Sequence, residues 1–379
     1  MIPIAQPALD EADAEAARRT VLSGWVTQGP EVAAFEREFA KRVGAAYACA
    51  VSSCTAALHL ALVGLGLGEG DEVITASHSF IATANSIRYC GATPVFVDID
   101  PDTYNIDPNR VGEAVTARTR AVLAVHQIGM PCDLTGLLAI CDRHSIALVE
   151  DAAPAAGSEI RIGGQWEPIG RPRGVVACFS FHPRKVITTG DGGMLTTNDT
   201  ALDRKFRLLR QHGMSVTDSA RHNSPRVIFE DYPILGYNYR MTDIQAAIGR
   251  QQLARLPDLV ARRRVIGDRY VALLGNIEGL SLPFEPEWAR SNWQSYCVRL
   301  PDRIDQKGVM QHLLDQGIST RRGVMCSHRE PAYANHKQSH DLSQSEAAQD
   351  HCILLPIYSQ MTEADQVRVA DALRRELRQ

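Results

Sequence analysis

The chain has 379 residues, 45% of them hydrophobic and 22% charged, with a formal net charge of −4. That length can bury a large core and implies two domains, and the balance is that of an ordinary globular protein. With no basic excess, nucleic acid and anionic membrane are disfavoured as partners.

Nine cysteines are scattered without a C-x-x-C pair. They read as reduced core thiols, neither a disulfide framework nor a zinc site, so no metal is expected. The N-terminus, Met1 to Gln6, has no basic stretch followed by an apolar core. The most apolar stretch, 56–67, contains His59 and is too short to cross a bilayer. The expected location is cytoplasmic.

In chain order, 47–51 is expected as a strand and 55–63 as a helix, followed by strand 72–76 and helix 80–90. Strand 94–97, helix 107–117, strand 121–126, helix 134–144 and strand 146–150 continue the alternation. This series implies an α/β fold with a mostly parallel central sheet flanked by helices and joined by right-handed crossovers. After Gly193 come a short strand, 194–197, and a charged helix, 200–211. Thr242 and Gln245 are spaced as a capping box and open a long helix that is expected to run, with a bend, to about 274. Strand 295–300, helix 304–316 and helix 363–377 point to a smaller C-terminal α+β unit. The division is placed at 1–255 for the large, cofactor-binding domain and 256–379 for the small one.

Ligands bind such sheets beyond the carboxyl ends of the strands. Ser52, Ser53, Cys54, Asp151 and Lys185 all fall there. At Ser53-Cys54-Thr55 a strand turns into a helix, where free N–H groups and hydroxyls suit a phosphate; a plain helix N-cap explains the same residues. Ser180 can reach the same anion from the strand below. Phe80 follows another strand end, where an aromatic stacks on a planar ring or simply packs in the core. Asp151 follows an apolar run and needs a counter-charge if buried, whether a protonated pyridine or a structural ion pair. Lys185 leaves an aromatic strand for a turn ending Gly190-Asp191-Gly192-Gly193. Desolvated there, its amine becomes a nucleophile and base. A lysine that makes an imine and a carboxylate that keeps a ring nitrogen protonated are the two groups pyridoxal 5'-phosphate chemistry requires.

Together these residues resemble the DegT/DnrJ/EryC1/StrS family of sugar aminotransferases, within fold type I of the pyridoxal phosphate enzymes. The resemblance runs through Gly24-Trp25-Val26-Thr27-Gln28-Gly29-Pro30, Val51 to His59 and Ala82-Thr83-Ala84-Asn85. It continues through Pro94 to Asp100, Val125 to Pro131, Glu150-Asp151-Ala152-Ala153, the lysine segment, and Leu235 to Ala247. It implies that Lys185 forms the imine, Asp151 pairs with the pyridine nitrogen and Phe80 stacks on the ring. Cys54 and Thr55 amides, with the Thr55 and Ser180 side chains, would hold the phosphate. Asn238 would reach it from the other subunit of a homodimer with shared active sites. Three departures stand out: Pro154 where a polar residue is common, Cys54 where glycine is common, and a longer Asp151-to-Lys185 spacing. The extra residues, 161–173, are expected as a hairpin or loop near the site entrance.

The implied reaction moves an amino group from L-glutamate (or glutamine) to a keto group of a nucleotide-linked deoxysugar. A keto-cyclitol acceptor and a different fold type I activity, such as a lyase, are the alternatives. Trp25, Thr27, Gln28 and His182 are candidates to line the acceptor cleft. Arg321 and Arg322 are candidates for a diphosphate or a donor carboxylate, or are solvated surface charges.

Overall fold

The computed structural model describes residues 1–222, 224–336 and 338–377. Helices α1 (Glu11–Leu22) and α2 (Pro30–Val43) lead into β1 (Tyr47–Val51), α3 (Cys54–Gly64), β2 (Glu72–Ala76), α4 (Ala82–Tyr89) and β3 (Thr93–Val97). The alternation continues with α5 (Pro108–Ala114), β4 (Thr119–Val125), α6 (Leu134–His144) and β5 (Ala147–Asp151). Next come β6 (Glu159–Ile162), β7 (Gln165–Pro168), β8 (Val176–Ser180), β9 (Gly193–Thr197), α7 (Thr200–Leu209), α8 (Asp218–His222) and α9 (Asp243–Leu274). The remainder is β10 (Ala289–Arg290), β11 (Tyr296–Arg299), α10 (Gln306–Asp315), β12 (Arg321–Arg322), α11 (Ser343–His351), β13 (Cys352–Leu355) and α12 (Glu363–Leu377).

Seven strands form the main sheet in the order β1-β9-β8-β5-β4-β2-β3. Only β9 runs against the others. Strands β2, β8 and β9 are buried along their whole length, as expected of a sheet covered on both faces. Helix α3 is apolar nearly all round and correspondingly buried. On the other face, Phe35 and Phe39 of α2 pack against Phe179 and Phe181, the closest rings being 4.9 Å apart. The α/β architecture with a mostly parallel, helix-flanked sheet is therefore observed.

Strand β5 sits one residue later than the sequence indicates, so Asp151 is its last residue, paired in register with Val125 and Cys178. The capping box of α9 is present: Gln245 N donates to Thr242 Oγ1 at 3.2 Å, and Thr242 N to Gln245 Oε1 at 3.0 Å. Helix α9 then runs unbroken for 32 residues with Pro257 inside it. Its first half packs in the core beneath the main sheet through Ala246, Leu253 and Leu256. Its second half packs through Ile266, Tyr270 and Leu274 in a separate core with Val298, Leu313, Ile353 and Leu373. That second core underlies the antiparallel sheet β11-β13-β12. Residues 255 and 256 both lie within α9. No helix among the described residues is long and apolar enough to cross a membrane.

The segment after Asp151 forms the hairpin β6/β7, with β10 as a third strand. No residue of 159–173 lines the cleft described next. Arg173 pairs instead with Glu167 across the base of the hairpin.

Candidate active site

A cleft of about 410 Å³ opens where α3 begins and where β4, β5 and β8 end; residues of β12 and β13 form its far wall. Ser53, Cys54, Thr55, Phe80, Asp151, Ser180, His182, Lys185, Arg321 and Arg322 all line it. A larger groove of about 1010 Å³, bordered by Asp100, Asp133 and Trp288, contains none of them.

At one end Ser53 is the N-cap of α3, its Oγ accepting from Ala56 N at 3.1 Å. The amides of Cys54 and Thr55 belong to the first turn of that helix and have no carbonyl of their own to bond. Residue 193 of the adjacent strand must be glycine, because a Cβ there would lie 2.4 Å from Ser53 O and 2.7 Å from Cys54 N. The result is a bare turn of amides and hydroxyls that fits a phosphate.

Asp151 is 3% exposed. Its Oδ1 accepts from Ala153 N at 3.1 Å, and its Oδ2 from the Thr83 hydroxyl at 2.9 Å. No arginine, lysine or histidine among the described residues forms an ion pair with it. Burial lifts its pKa, and the two hydrogen bonds and the Lys185 charge oppose that rise. A buried carboxylate fixed on two sides and short of a cation fits the protonated nitrogen of a pyridine ring. Its neighbour Glu150 points elsewhere, accepting from Arg173 N and Gly174 N at 3.2 and 3.0 Å. Because Cys132 N donates to His126 Nδ1, that ring's proton lies on Nε2 and is donated to Glu150 at 3.1 Å. Of the acidic pair, Glu150 therefore serves the fold.

Lys185 leaves β8 through a turn closed by Lys185 N to His182 O at 2.8 Å. The loop folds back on Phe181 O, which accepts from Thr188 Oγ1 at 2.8 Å and Thr189 N at 3.0 Å. Burial lowers the pKa of the Lys185 amine, against the pull of Cys54 and Asp151. Cys54 lies 4.0 Å from Asp151, and burial together with that carboxylate pushes its thiol pKa well up. It is a neutral wall, not a nucleophile. Phe80 is 61% exposed on the cleft wall, which removes the core reading and leaves a free aromatic face. His182 is half-buried with its pKa lowered by burial, and its Nδ1 accepts from Arg184 N at 3.2 Å.

Trp25, Thr27 and Gln28 do not line the cleft. Their segment is tied to Asp243, whose carboxylate caps α2 by accepting from Gly29 N at 2.8 Å and Val32 N at 2.9 Å. Gly29 has no side chain to do this itself, so the preceding segment is drawn to the start of α9. Asn238 is exposed and also outside the cleft, paired with Gln211 beyond the β1 edge.

Three cleft residues were missed in the sequence. Thr83 fixes Asp151 from within a segment already matched, Ala82 to Asn85, but a threonine in a helix carries no distinguishing mark. Gln127 is buried, and its N–H donates to Asn105 Oδ1 at 2.7 Å. It follows His126, and Ile128 after it turns through a left-handed φ of 54°. It is a polar side chain in the cleft that holds Pro154. Arg184 is next to Lys185, and nothing in the sequence distinguishes it from a solvated surface arginine.

Lysine, buried aspartate and bare phosphate turn around one cleft define an enzyme built for a pyridoxal-type cofactor. The chain matches the model of the DegT/DnrJ/EryC1/StrS aminotransferase family over residues 7–374. It is 40% identical over 381 residues to GDP-perosamine synthase of Caulobacter vibrioides, covering 98% of this chain and 97% of that one. It is 38% identical over 380 residues to the spore coat polysaccharide biosynthesis protein SpsC of Bacillus subtilis, covering 98% and 96%. Among solved structures, the putative sugar aminotransferase Spr1654 of Streptococcus pneumoniae superposes with TM-scores of 0.92 in its PMP form and 0.91 in its PLP form. The identity is 27%, covering 100% of this chain and 99% and 98% of those chains. The chain belongs to the DegT/DnrJ/EryC1/StrS aminotransferase family. It is a pyridoxal phosphate-dependent sugar aminotransferase.

Proposed function

We propose that the enzyme transfers an amino group from L-glutamate (or glutamine) to a keto group of a nucleotide-linked deoxysugar. The observation that carries this reading is the meeting of Lys185, Asp151 and the Ser53–Thr55 turn in one cleft. The named activity of the Caulobacter relative supports the acceptor class.

When bound, the cofactor supplies an electron sink for the pair left at a substrate carbon that loses its proton. Asp151, held by Thr83 and Ala153, keeps the ring nitrogen protonated. Phe80, exposed on the cleft wall, would offer its face to the ring. The amides of Cys54 and Thr55, with the Thr55 and Ser180 hydroxyls, fix the phosphate. The free amine of Lys185 would take the proton from the donor α-carbon and later return one to the acceptor-derived carbon. Its lowered pKa favours the neutral amine that this step requires. Donor and acceptor take turns in the same cleft, so ping-pong kinetics follow.

The phosphate contact from Asn238 comes from a second copy of the chain, placing two shared sites in a cytoplasmic homodimer. Support for a second copy is the exposed apolar strip of Val227, Phe229 and Leu235, each 86–89% exposed in the single chain. These lie in the segment leading to Asn238.

The test is the visible absorption band of the purified holoenzyme, followed as excess L-glutamate is added, and then mass spectrometry of nucleotide-linked keto-sugars incubated with the treated enzyme. Loss of the band and a one-amine mass gain are expected. A band indifferent to L-glutamate and L-glutamine would remove the proposed donors and favour a lyase. Amination of a keto-cyclitol but no nucleotide sugar would move the acceptor to the alternative class.

A further inference from the structure

We infer that Arg184 and Arg321 act as one clamp for a substrate oxyanion, either the carboxylate of the amino donor or the diphosphate of the acceptor. This rests on the aminotransfer reading above and extends it to a residue pair split between the two halves of the molecule.

Strand β12 is two residues long, and its register on β13 sets Arg321 opposite Leu354 and Arg322 opposite Ile353. Successive strand residues project to opposite faces. Arg322 is turned to Glu330, its guanidinium 3.2 Å from the carboxylate. Arg321 makes no ion pair among the described residues. Neither does Arg184, which reaches the same cleft from the turn that delivers Lys185. The backbone of Arg184 is pinned on both sides, its N–H to His182 Nδ1 at 3.2 Å and its carbonyl to Gln294 Nε2 at 2.9 Å.

Both side chains line the one cleft, and the Arg321 charge adds to burial in lowering the Arg184 pKa. Some arginines away from the cleft are neutralised by a neighbour. Arg207, Arg250 and Arg264 each rest on a carboxylate at 2.7–2.8 Å. Asp191, the other carboxylate lining the cleft besides Asp151, forms no ion pair with either arginine among the described residues. Arg184 and Arg321 are both exposed to solvent on the cleft wall and have no carboxylate partner among the described residues, so their forks are free to take a bound oxyanion. Planar guanidinium forks match both carboxylate and phosphate oxygens. Because one fork comes from the lysine turn and the other from the C-terminal sheet, the ligand that satisfies both also ties the halves together.

The experiment uses the holoenzyme with two probes: L-glutamate, read by the cofactor band, and inorganic pyrophosphate, read by titration calorimetry. Arg184→Gln and Arg321→Gln are each expected to weaken one probe by about tenfold or more while keeping the cofactor band. Loss confined to L-glutamate assigns the donor carboxylate; loss confined to pyrophosphate assigns the diphosphate. The double variant should lose much less than the product of the single losses, since both forks hold one ligand. Changes below about twofold for both probes would overturn the clamp. If the wild-type band ignores L-glutamate but pyrophosphate binding still falls in both variants, the clamp stands and the donor reading fails.

Discussion

Gly193 lies directly beneath the Ser53–Cys54 peptide, so close that a methyl group on it would overlap Ser53 O at 2.4 Å. The overlapped atoms are backbone, which no rotamer change can move. Gly193→Ala therefore displaces either β9 or the start of α3, and the phosphate turn goes with it. The expected outcome is a cost of about 1–3 kcal/mol in stability, with cofactor affinity falling by about tenfold or more. Denaturant titration and cofactor titration of the same variant measure the two effects separately. A variant that keeps full cofactor affinity would show that the turn is not the phosphate seat.

Asp151 and Lys185 are expected to fail in different ways. Lys185→Ala should lose turnover yet keep the cofactor non-covalently, visible as a shifted absorption band. Asp151→Asn keeps the shape and removes the charge, so kcat should drop by about a hundredfold or more with the band retained. Thr83→Val deletes one donor to Asp151 and should cost about tenfold in kcat. Retained steady-state activity in Lys185→Ala would sink its role.

His78 sets a pH limit. Burial holds its pKa at about 4, against the usual 6.5, with the Tyr104 backbone and Asp98 pulling the other way. Its folded pKa is thus the lower one, so between pH 6.5 and 4 the unfolded chain binds a proton that the folded chain refuses. Stability falls as the pH drops through that window, by about 3 kcal/mol in total from this group, and levels off below it. Urea unfolding of wild type and His78→Leu at pH 7 and pH 5 checks this. The acid loss should be smaller in the variant by about 2 kcal/mol.

Shared active sites are testable by mixing. Lys185→Ala and Asn238→Asp, each inactive or nearly so alone, should regain activity when their subunits are exchanged. One site of the mixed dimer then carries both original side chains, so random pairing restores about a quarter of the wild-type rate. No recovery after demonstrated exchange would place Asn238 in the same subunit's chemistry or outside it.

How much of this could be read in the sequence depended on whether a residue acts locally. The β-α alternation, the Thr242–Gln245 capping box and the strand ends holding Ser53 and Lys185 follow from short-range periodicity and turn chemistry. Asp151 and Glu150 look equivalent in sequence; only the backbone amides of Arg173 and Gly174 reveal that Glu150 is occupied. Trp25, Thr27 and Gln28 are legible as a motif, but their position is not. Their segment is tied to Asp243, more than 200 positions away. Arg321 and Arg322 both line the cleft, but only Arg322 is tied to a carboxylate, that of Glu330. Contacts of this kind are made by tertiary packing, and single-chain periodicity does not encode them.

Helix α9 has a further consequence for how the molecule comes apart. Ala246 and Leu256 on one side of Pro257, and Ile266 and Leu274 on the other, belong to different cores but to one uninterrupted rod. Pro257 has no N–H to donate one turn back, so the rod has a missing rung at its centre. Neither core can shed its length of helix without stripping a packing face that the other's geometry depends on. The chain lacks a loop at which the halves could be severed into independent folding units there. Scanning calorimetry of the apo chain is therefore expected to trace one endotherm, not two.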